Sequence, residues 1–268
     1  MLKDITLGQY FPGNSIAHKL DPRTKILLVT LYIIALFSAK GWMGYAVMAV
    51  TLAACVKVSH VGLRALVRGL KPLVFIIAFT GILNMFFTPD THYLWEWGIL
   101  RVSVKGIENA LFMVIRIMLL VMGTFLMTYT TSPIRLTDGL ESLLNPLKKI
   151  HVPVHELAMM MAIALRFIPT LIEETDKIMS AQKARGADFE SGSLFKKAKA
   201  LVPILVPLFI SAFRRADELA TAMECRCYHG GEGRTKLHVL KYQRRDYVAL
   251  TGGAVILVLV VLLRKLGA

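Results

Sequence analysis

The sequence is poor in the residues that form disulfides, metal sites and nucleotide sites. It has three cysteines in 268 residues, and an odd number does not fit a disulfide framework. Cys225, Cys227 and His229 are close in the chain, but they are too few for a closed zinc site. The glycine-rich segment 230–236 lacks the spacing of a phosphate-binding loop and follows a predicted helix. We therefore expect no metal, no cofactor and no catalytic residues in this chain.

Acidic residues are also scarce. Asp and Glu number 18 against 32 Lys and Arg, a net charge of +14, yet 55% of the residues are hydrophobic. The mean hydropathy of +0.57 is too high for a soluble domain of this size. An all-α integral membrane protein with basic cytoplasmic parts explains both features. A nucleic-acid-binding protein would also be basic, but the sequence has no basic module with interleaved aromatic residues. We expect contact with a lipid bilayer and not with nucleic acid.

Five apolar stretches are predicted to cross the bilayer. A helix needs roughly 20 apolar residues to do so, and fewer where flanking lysines reach the interface. The candidates are Ile26–Ala39, Trp42–Val58, Pro72–Thr88, Gly106–Tyr129 and Tyr247–Leu263. They divide the chain into an N-terminal transmembrane region (1–131), a basic region (132–246) and a C-terminal transmembrane helix (247–268).

The distribution of Lys and Arg predicts the orientation in the membrane. The N-terminal segment, the loop Lys57–Lys71 and the region 132–246 are all basic, and they share one side if each stretch spans once. That side should be the cytoplasm. The opposite side receives the loop Pro89–Lys105, with its two tryptophans. Arg264 and Lys265 disagree with this orientation, because they fall on the outer side.

The basic region is predicted to be helical. Leu136–Ile150 carries a leucine stripe typical of an amphipathic helix. Two long helices follow, Val154–Arg185 and Leu194–Arg226, and a kink is expected near Pro169. Gly186 is expected to end the first long helix in the left-handed conformation.

Each long helix contains an apolar stretch, and the length of the stretch does not decide whether it crosses the bilayer. Leu157–Ile172 and Ala200–Phe213 could cross as a hairpin, but the segment joining them is basic and would then lie outside. We interpret both stretches as lying along the membrane face.

Each long helix is predicted to end in an arginine between small residues. Aligning the two arginines also matches Asp176 with Asp217, and the full set of tip residues is Ala184, Arg185, Gly186, Cys225, Arg226 and Cys227. One interpretation is structural, because a terminal arginine complements the helix dipole by about 0.3–1 kcal/mol. The other is docking, because a guanidinium binds a carboxylate through two parallel hydrogen bonds and small neighbours permit close approach.

Three polar residues near or inside the predicted spans need a role. Asp21 is expected to cap the first span, with Pro22 in its first turn. Arg116 falls inside the fourth span, where it would extend to the interface or bind a carbonyl of a neighbouring helix. Asn84 falls inside the third span. The other spans offer no acid to pair with Arg116, which argues against a proton-coupled carrier.

Several motifs resemble the transmembrane T component of energy-coupling factor (ECF) transporters. They are the N-terminal run 8–15 (GQYFPGNS) with His18, the run 20–23 (LDPR) with Lys25, the triplet Ala184–Gly186, and the segment 222–231 (AMECRCYHGG). In that family, two coupling helices end in small-Arg-small motifs that dock into grooves on two ATP-binding-cassette (ABC) ATPases. The matching positions are Arg185 and Arg226 with their neighbours.

The resemblance also implies a substrate-binding membrane protein, the S component, held against this chain. S components commonly capture vitamins or transition-metal ions. The implied location is a prokaryotic plasma membrane, with the region 132–246 as a cytoplasmic coupling region. The implied function is to transmit ATP-driven motion to the S component for micronutrient uptake.

Three alternatives stay open at this point. A T component dedicated to one cobalt or nickel system is the nearest. A membrane-embedded enzyme would require clusters of acidic residues or histidines, which the sequence does not make evident. A secondary carrier would require inverted repeats of its spans.

Overall fold

The computed structural model describes residues 10–88, 93–97, 100–187, 189, 193–230 and 239–266. Within this part the chain forms two compact units. Of the described residues, the membrane unit comprises those between Gly8 and Leu140 and those between Leu240 and Ala268, and the coupling unit comprises those between Glu141 and Val239.

The described chain is helical apart from one short hairpin. Short 3-10 segments cover Lys71–Leu73 and Asn145–Ile150. The α-helices in chain order are α1 (Ile16–Lys19), α2 (Pro22–Ser38), α3 (Gly41–Ser59), α4 (Leu63–Leu70), α5 (Val74–Phe87), α6 (Val104–Thr130), α7 (Pro133–Leu144), α8 (Val154–Ala184), α9 (Leu194–Cys225) and α10 (Arg244–Lys265).

Among the described residues, five helical segments are long and apolar enough to cross a membrane, which confirms the predicted fold class. They are Gly41–Ser59, Leu63–Phe87, Val104–Thr130, Val154–Ala184 and Arg244–Lys265. Four coincide with predicted spans, and the third of the predicted spans is longer than expected because α4 continues into α5. The first predicted span corresponds to α2, whose 17 residues are at the short end for a crossing helix. By length and composition α8 qualifies as well, so its position along the membrane face stays a prediction.

The core of the membrane unit is built from apolar residues of several helices. Leu36 of α2, Met48 of α3, Leu66 of α4 and Val260 of α10 are fully buried together. Helix α6 runs through this core and contacts α2, α3, α4 and α5. Many large apolar side chains point outward instead, as expected where the solvent is lipid.

A short antiparallel hairpin lies where the sequence predicts only a loop (89–105). Its strands are β1 (Tyr93–Trp97) and β2 (Leu100–Ser103), and the register places Glu96 opposite Arg101. Aromatic and β-branched residues favour extended backbone, and five-residue strands are too short to give a clear periodic signal. Ser103 then caps α6, because its side chain accepts the Gly106 N–H at 2.9 Å.

The predicted cap of the first span is confirmed. Asp21 is the N-cap of α2, and its Oδ1 accepts the Arg23 N–H at 2.9 Å, with Pro22 as the first helical residue. Asp246 accepts the backbone N–H of Asp21 at 2.8 Å and that of Gln243 at 2.8 Å. The carboxylate of Asp246, which is 1% exposed, therefore joins the starts of α2 and α10.

Arg116 binds a side chain rather than a backbone carbonyl. Its Nε donates to the hydroxyl of Tyr45 on α3 at 2.9 Å. Its guanidinium carbon lies 5.7 Å from the ring centre of Phe37 and 5.8 Å from that of Tyr45. These contacts join α2, α3 and α6 and give the arginine a structural role inside the membrane unit.

Candidate functional site

The first arginine tip is the C-terminal end of α8. Arg185 is the C-cap, and its N–H donates to Ala181 O and Gln182 O. Gly186 follows with φ +86°, which is the left-handed conformation predicted for it. The N–H of Ala187 then donates to Gln182 O at 3.0 Å. This pattern is a Schellman motif, which satisfies carbonyls that the last helical turn leaves without partners.

The second arginine tip, at the end of α9, has the same backbone geometry. Arg226 is the C-cap, and Cys227 takes the left-handed position with φ 54°. The N–H of Tyr228 donates to Met223 O at 3.1 Å, in the place of the Ala187 bond at the first tip. A non-glycine residue in this conformation is uncommon, so the sequence gives a weaker signal here than at Gly186.

The equivalence of the two helix ends extends upstream of the tips. Ser180 Oγ donates to Asp176 O at 2.7 Å, and Thr221 Oγ1 donates to Asp217 O at 2.9 Å. These residues are matched in the sequence alignment of the two arginines. The aligned segments therefore share side-chain hydrogen bonds as well as the form of their ends.

Both tips are open to solvent. All six predicted tip residues are exposed, and neither Arg185 nor Arg226 forms an ion pair with any residue that the structure describes. An exposed guanidinium with small neighbours can receive a carboxylate through two parallel hydrogen bonds without moving bulky side chains. The docking role of these residues stays a prediction.

The two tips belong to helices that are joined by a polar contact. Glu174 of α8 accepts a hydrogen bond from the hydroxyl of Ser211 and one from Arg215 Nη2, the latter at 2.6 Å. Ser211 and Arg215 are four residues apart and share one face of α9. Sequence reasoning missed this cluster, because nothing local to Glu174 marks a partner about forty residues away.

Substitutions at the two left-handed positions should change the stability of the helix ends in opposite directions, because one removes a glycine from such a position and the other introduces one. At Gly186 no atom lies within 4 Å of an added Cβ, so the β-carbon of a valine fits there. The valine still strains the backbone by about 1–2 kcal/mol. We expect Gly186→Val to speed hydrogen–deuterium exchange of the Ala187 amide by roughly tenfold, and Cys227→Gly to slow that of the Tyr228 amide. Unchanged exchange in both variants would contradict the assigned end geometry.

The fold and the two tips together define the class of protein. The class is an all-α integral membrane protein with two structurally equivalent, exposed helix ends, each of which carries an arginine. Among the described residues, no group of three or more His, Cys, Asp or Glu side chains could hold a metal ion.

Comparison with known proteins identifies the family. Residues 13–237 match the model of a family described as cobalt transport protein, CbiQ. The chain is 53% identical over 265 residues to the energy-coupling factor transporter transmembrane protein EcfT of Ruminiclostridium cellulolyticum, covering 99% of this chain and 98% of that protein. It is 56% identical over 250 residues to EcfT of Clostridium kluyveri (93% and 93%), and 46% identical over 264 residues to EcfT of Bacillus subtilis (98% and 100%). The chain belongs to this family of transmembrane components of ECF transporters, which confirms the resemblance drawn from the motifs.

Proposed function

We propose that this chain couples two ABC ATPases to a substrate-binding S component and has no catalytic role of its own. The observation that carries the proposal is the equivalence of the two tips in backbone geometry, hydrogen bonding and exposure. Two similar ends on one protein suit two similar partners. The left-handed position favours a small residue after each arginine, but a purely structural arginine cap would not require the preceding residues, Ala184 and Cys225, to be small and exposed as well.

Each tip suits a groove that contains a carboxylate. A charge-assisted hydrogen-bonded pair contributes about 1.5–3 kcal/mol, which is too little to hold a complex by itself. Apolar contacts along the last turns must supply the rest of the affinity. In this mechanism ATP binding draws the two ATPases together, and the tips move with them as rigid helix ends.

The apolar surface of α9 suits a membrane protein partner. Between Leu201 and Phe213 it exposes a set of large apolar side chains that polar solvent would not favour. Phe209 is 65% exposed and Phe213 is 62% exposed, and their rings lie 4.8 Å apart. An S component seated on this surface would receive the movement of the tips through a continuous helix and reorient to release its cargo.

We place the coupling unit on the cytoplasmic side of a prokaryotic plasma membrane, with α8 along the membrane face. Two features support this placement of α8. The segment 173–199, between the apolar stretches of the two helices, carries six Lys and Arg residues, which favour the cytoplasmic side. The Glu174–Arg215 ion pair is costly in hydrocarbon.

The cargo class we propose is a vitamin or another micronutrient. A dedicated cobalt system is the second candidate, and the description of the matching family model favours it.

The native cysteines provide a test of sidedness and docking. Cys225 and Cys227 are exposed beside Arg226, whereas Cys55 lies within the α3 span. A membrane-impermeant maleimide should label the tip cysteines in inside-out vesicles and not in right-side-out vesicles. Prior binding of the ATPase subunits should protect them.

The control for this experiment is the Cys225→Ser/Cys227→Ser variant, which retains Cys55 and should not be labelled in either orientation. Labelling in right-side-out vesicles would contradict the cytoplasmic placement. If bound ATPase subunits leave the labelling of the tip cysteines unchanged, docking at the second tip is contradicted.

A further inference from the structure

The polar contact between α8 and α9 lies midway between the two tips. Eleven residues separate Glu174 from Arg185, and eleven separate Arg215 from Arg226. At 1.5 Å per helical residue, both distances are about 16 Å. The contact is therefore equally far from each arginine along its own helix.

The two helices run in opposite directions at this contact. Glu174 lies against Ser211 and Arg215, while Gln182, eight residues further along α8, has its Nε2 at 3.5 Å from Pro203 O. Advancing along α8 thus means going back along α9. Pro207 has no N–H to donate to the carbonyl of Pro203, which leaves that carbonyl available to Gln182. The tips consequently lie at opposite ends of the pair, with the contact between them.

The contact also joins equivalent positions of the internal match. The alignment that places Arg185 on Arg226 places Glu174 on Arg215. The aligned segments of α8 and α9 therefore contact each other at residues that occupy the same position of the alignment. These two residues, Glu174 and Arg215, carry opposite charges. Such a self-pairing is what an approximate two-fold relation between α8 and α9 would produce.

Few apolar side chains of α8 and α9 are fully buried. Within the described coupling unit the buried apolar residues are Val154 and Ala158 on α8 and Ile204 on α9. The side chains of Glu174 and Arg215 are 23% and 34% exposed, so they retain part of their hydration while making direct hydrogen bonds. Because so few apolar side chains are fully buried here, we expect the polar contact to contribute strongly to fixing the orientation of the two helices.

We propose that Glu174, Ser211 and Arg215 form a fulcrum that fixes the crossing of α8 and α9 and makes the two lever arms equal. Glu174 and Arg215 are positioning residues, since they act on the tips through the helices. The coupling role of the fulcrum rests on the proposed function, but its geometric role does not.

Spin labels at equivalent exposed positions test the geometric role. The labels are attached at Ser180→Cys and Thr221→Cys in a chain whose native cysteines are serine, and the distance between them is measured by pulsed electron resonance. The parent chain should give one narrow distribution. Glu174→Arg and Arg215→Glu should each broaden it through like-charge repulsion, and the double exchange should narrow it again because the pair is restored in reverse. Glu174→Gln, which keeps an acceptor for Ser211 but removes the charge, covers the case in which a reversal fails to fold.

The same labelled chain, bound to its ATPases, tests the coupling role. ATP should shift the distance in the parent and in the double exchange, and this shift should be lost in either single variant although the ATPases still bind. Narrow distributions in the single variants and in Glu174→Gln, or a double exchange as broad as the single variants, would overturn the proposal. Failure of the chain with its native cysteines to bind ATPases would overturn the proposed function and leave the distance measurement as a valid test of the fulcrum.

Discussion

Replacing both Arg185 and Arg226 by glutamate should abolish ATPase co-purification and substrate uptake while leaving the chain in the membrane. Each arginine is expected to bind a carboxylate in an ATPase groove. Loss of one charge-assisted pair costs about 1.5–3 kcal/mol, or roughly 10- to 150-fold in affinity. Glutamate at either position also repels the carboxylate of the groove, which adds to this loss. The fold-losses in affinity at the two tips multiply when both arginines are replaced. The single variants should therefore weaken co-purification, and the double variant should remove it. Pull-down from detergent-solubilised membranes and uptake in vesicles measure the two effects.

The matched control is Arg214→Glu, which makes the same charge change at an exposed position of α9, twelve residues before the tip. It should bind ATPases as the parent chain does. An S component should still co-purify with the double tip variant, because its proposed surface lies elsewhere on α9. Retained uptake in the double variant would remove the docking role from the arginines. Loss of the chain from the membrane would show that they act on folding instead.

Asp246→Ala should destabilise the membrane unit strongly, whereas the substitutions at the exposed tips should not. The buried carboxylate accepts the N–H of Asp21 and that of Gln243. Alanine leaves both groups without an acceptor, at about 1–3 kcal/mol for each. It also separates the starts of α2 and α10, which pack along one another. The midpoint of thermal unfolding in detergent should fall clearly, and the yield from membranes should decrease.

Two further variants make the measurement specific. Asp246→Asn keeps one carbonyl acceptor and should lose only part of the stability. Asp217→Ala removes an exposed carboxylate of α9 and should leave the unfolding midpoint unchanged. Equal midpoints for Asp246→Ala and the parent chain would show that water or other groups replace the lost acceptor.

The sequence alone predicts the features that depend on local rules. Gly186 ends α8 in the left-handed conformation because glycine has no Cβ and meets no steric penalty there. Asp21 caps α2 because its carboxylate accepts an N–H of the first turn, and Pro22 marks that turn in the sequence. Hydrophobic length predicts four of the five candidate spans. The tips are predictable in the same way, since each is a local pattern and the second copy repeats the first.

Features that depend on distant residues could not be predicted in this way. Asp246 meets Asp21 across 225 positions of the chain, and no local pattern at either residue marks the contact. The partner of Arg116 is the hydroxyl of Tyr45, and a tyrosine in an apolar stretch looks like an ordinary interfacial residue. The sequence does hold one signal for the Glu174 contact, because Glu174 aligns with Arg215 in the internal match and the two have opposite charges. That signal indicates an ion pair only when the two helices are known to be antiparallel.

The equal arms on either side of Glu174 have a mechanical consequence. If the two ATPases draw together as proposed, they exert opposed forces of equal size on the two tips, so the net force on the pair of helices is zero and its midpoint stays in place. A force at one tip alone displaces the midpoint instead. One ATPase acting without the other would therefore shift the proposed seat of the S component, and only simultaneous action of both would keep it centred.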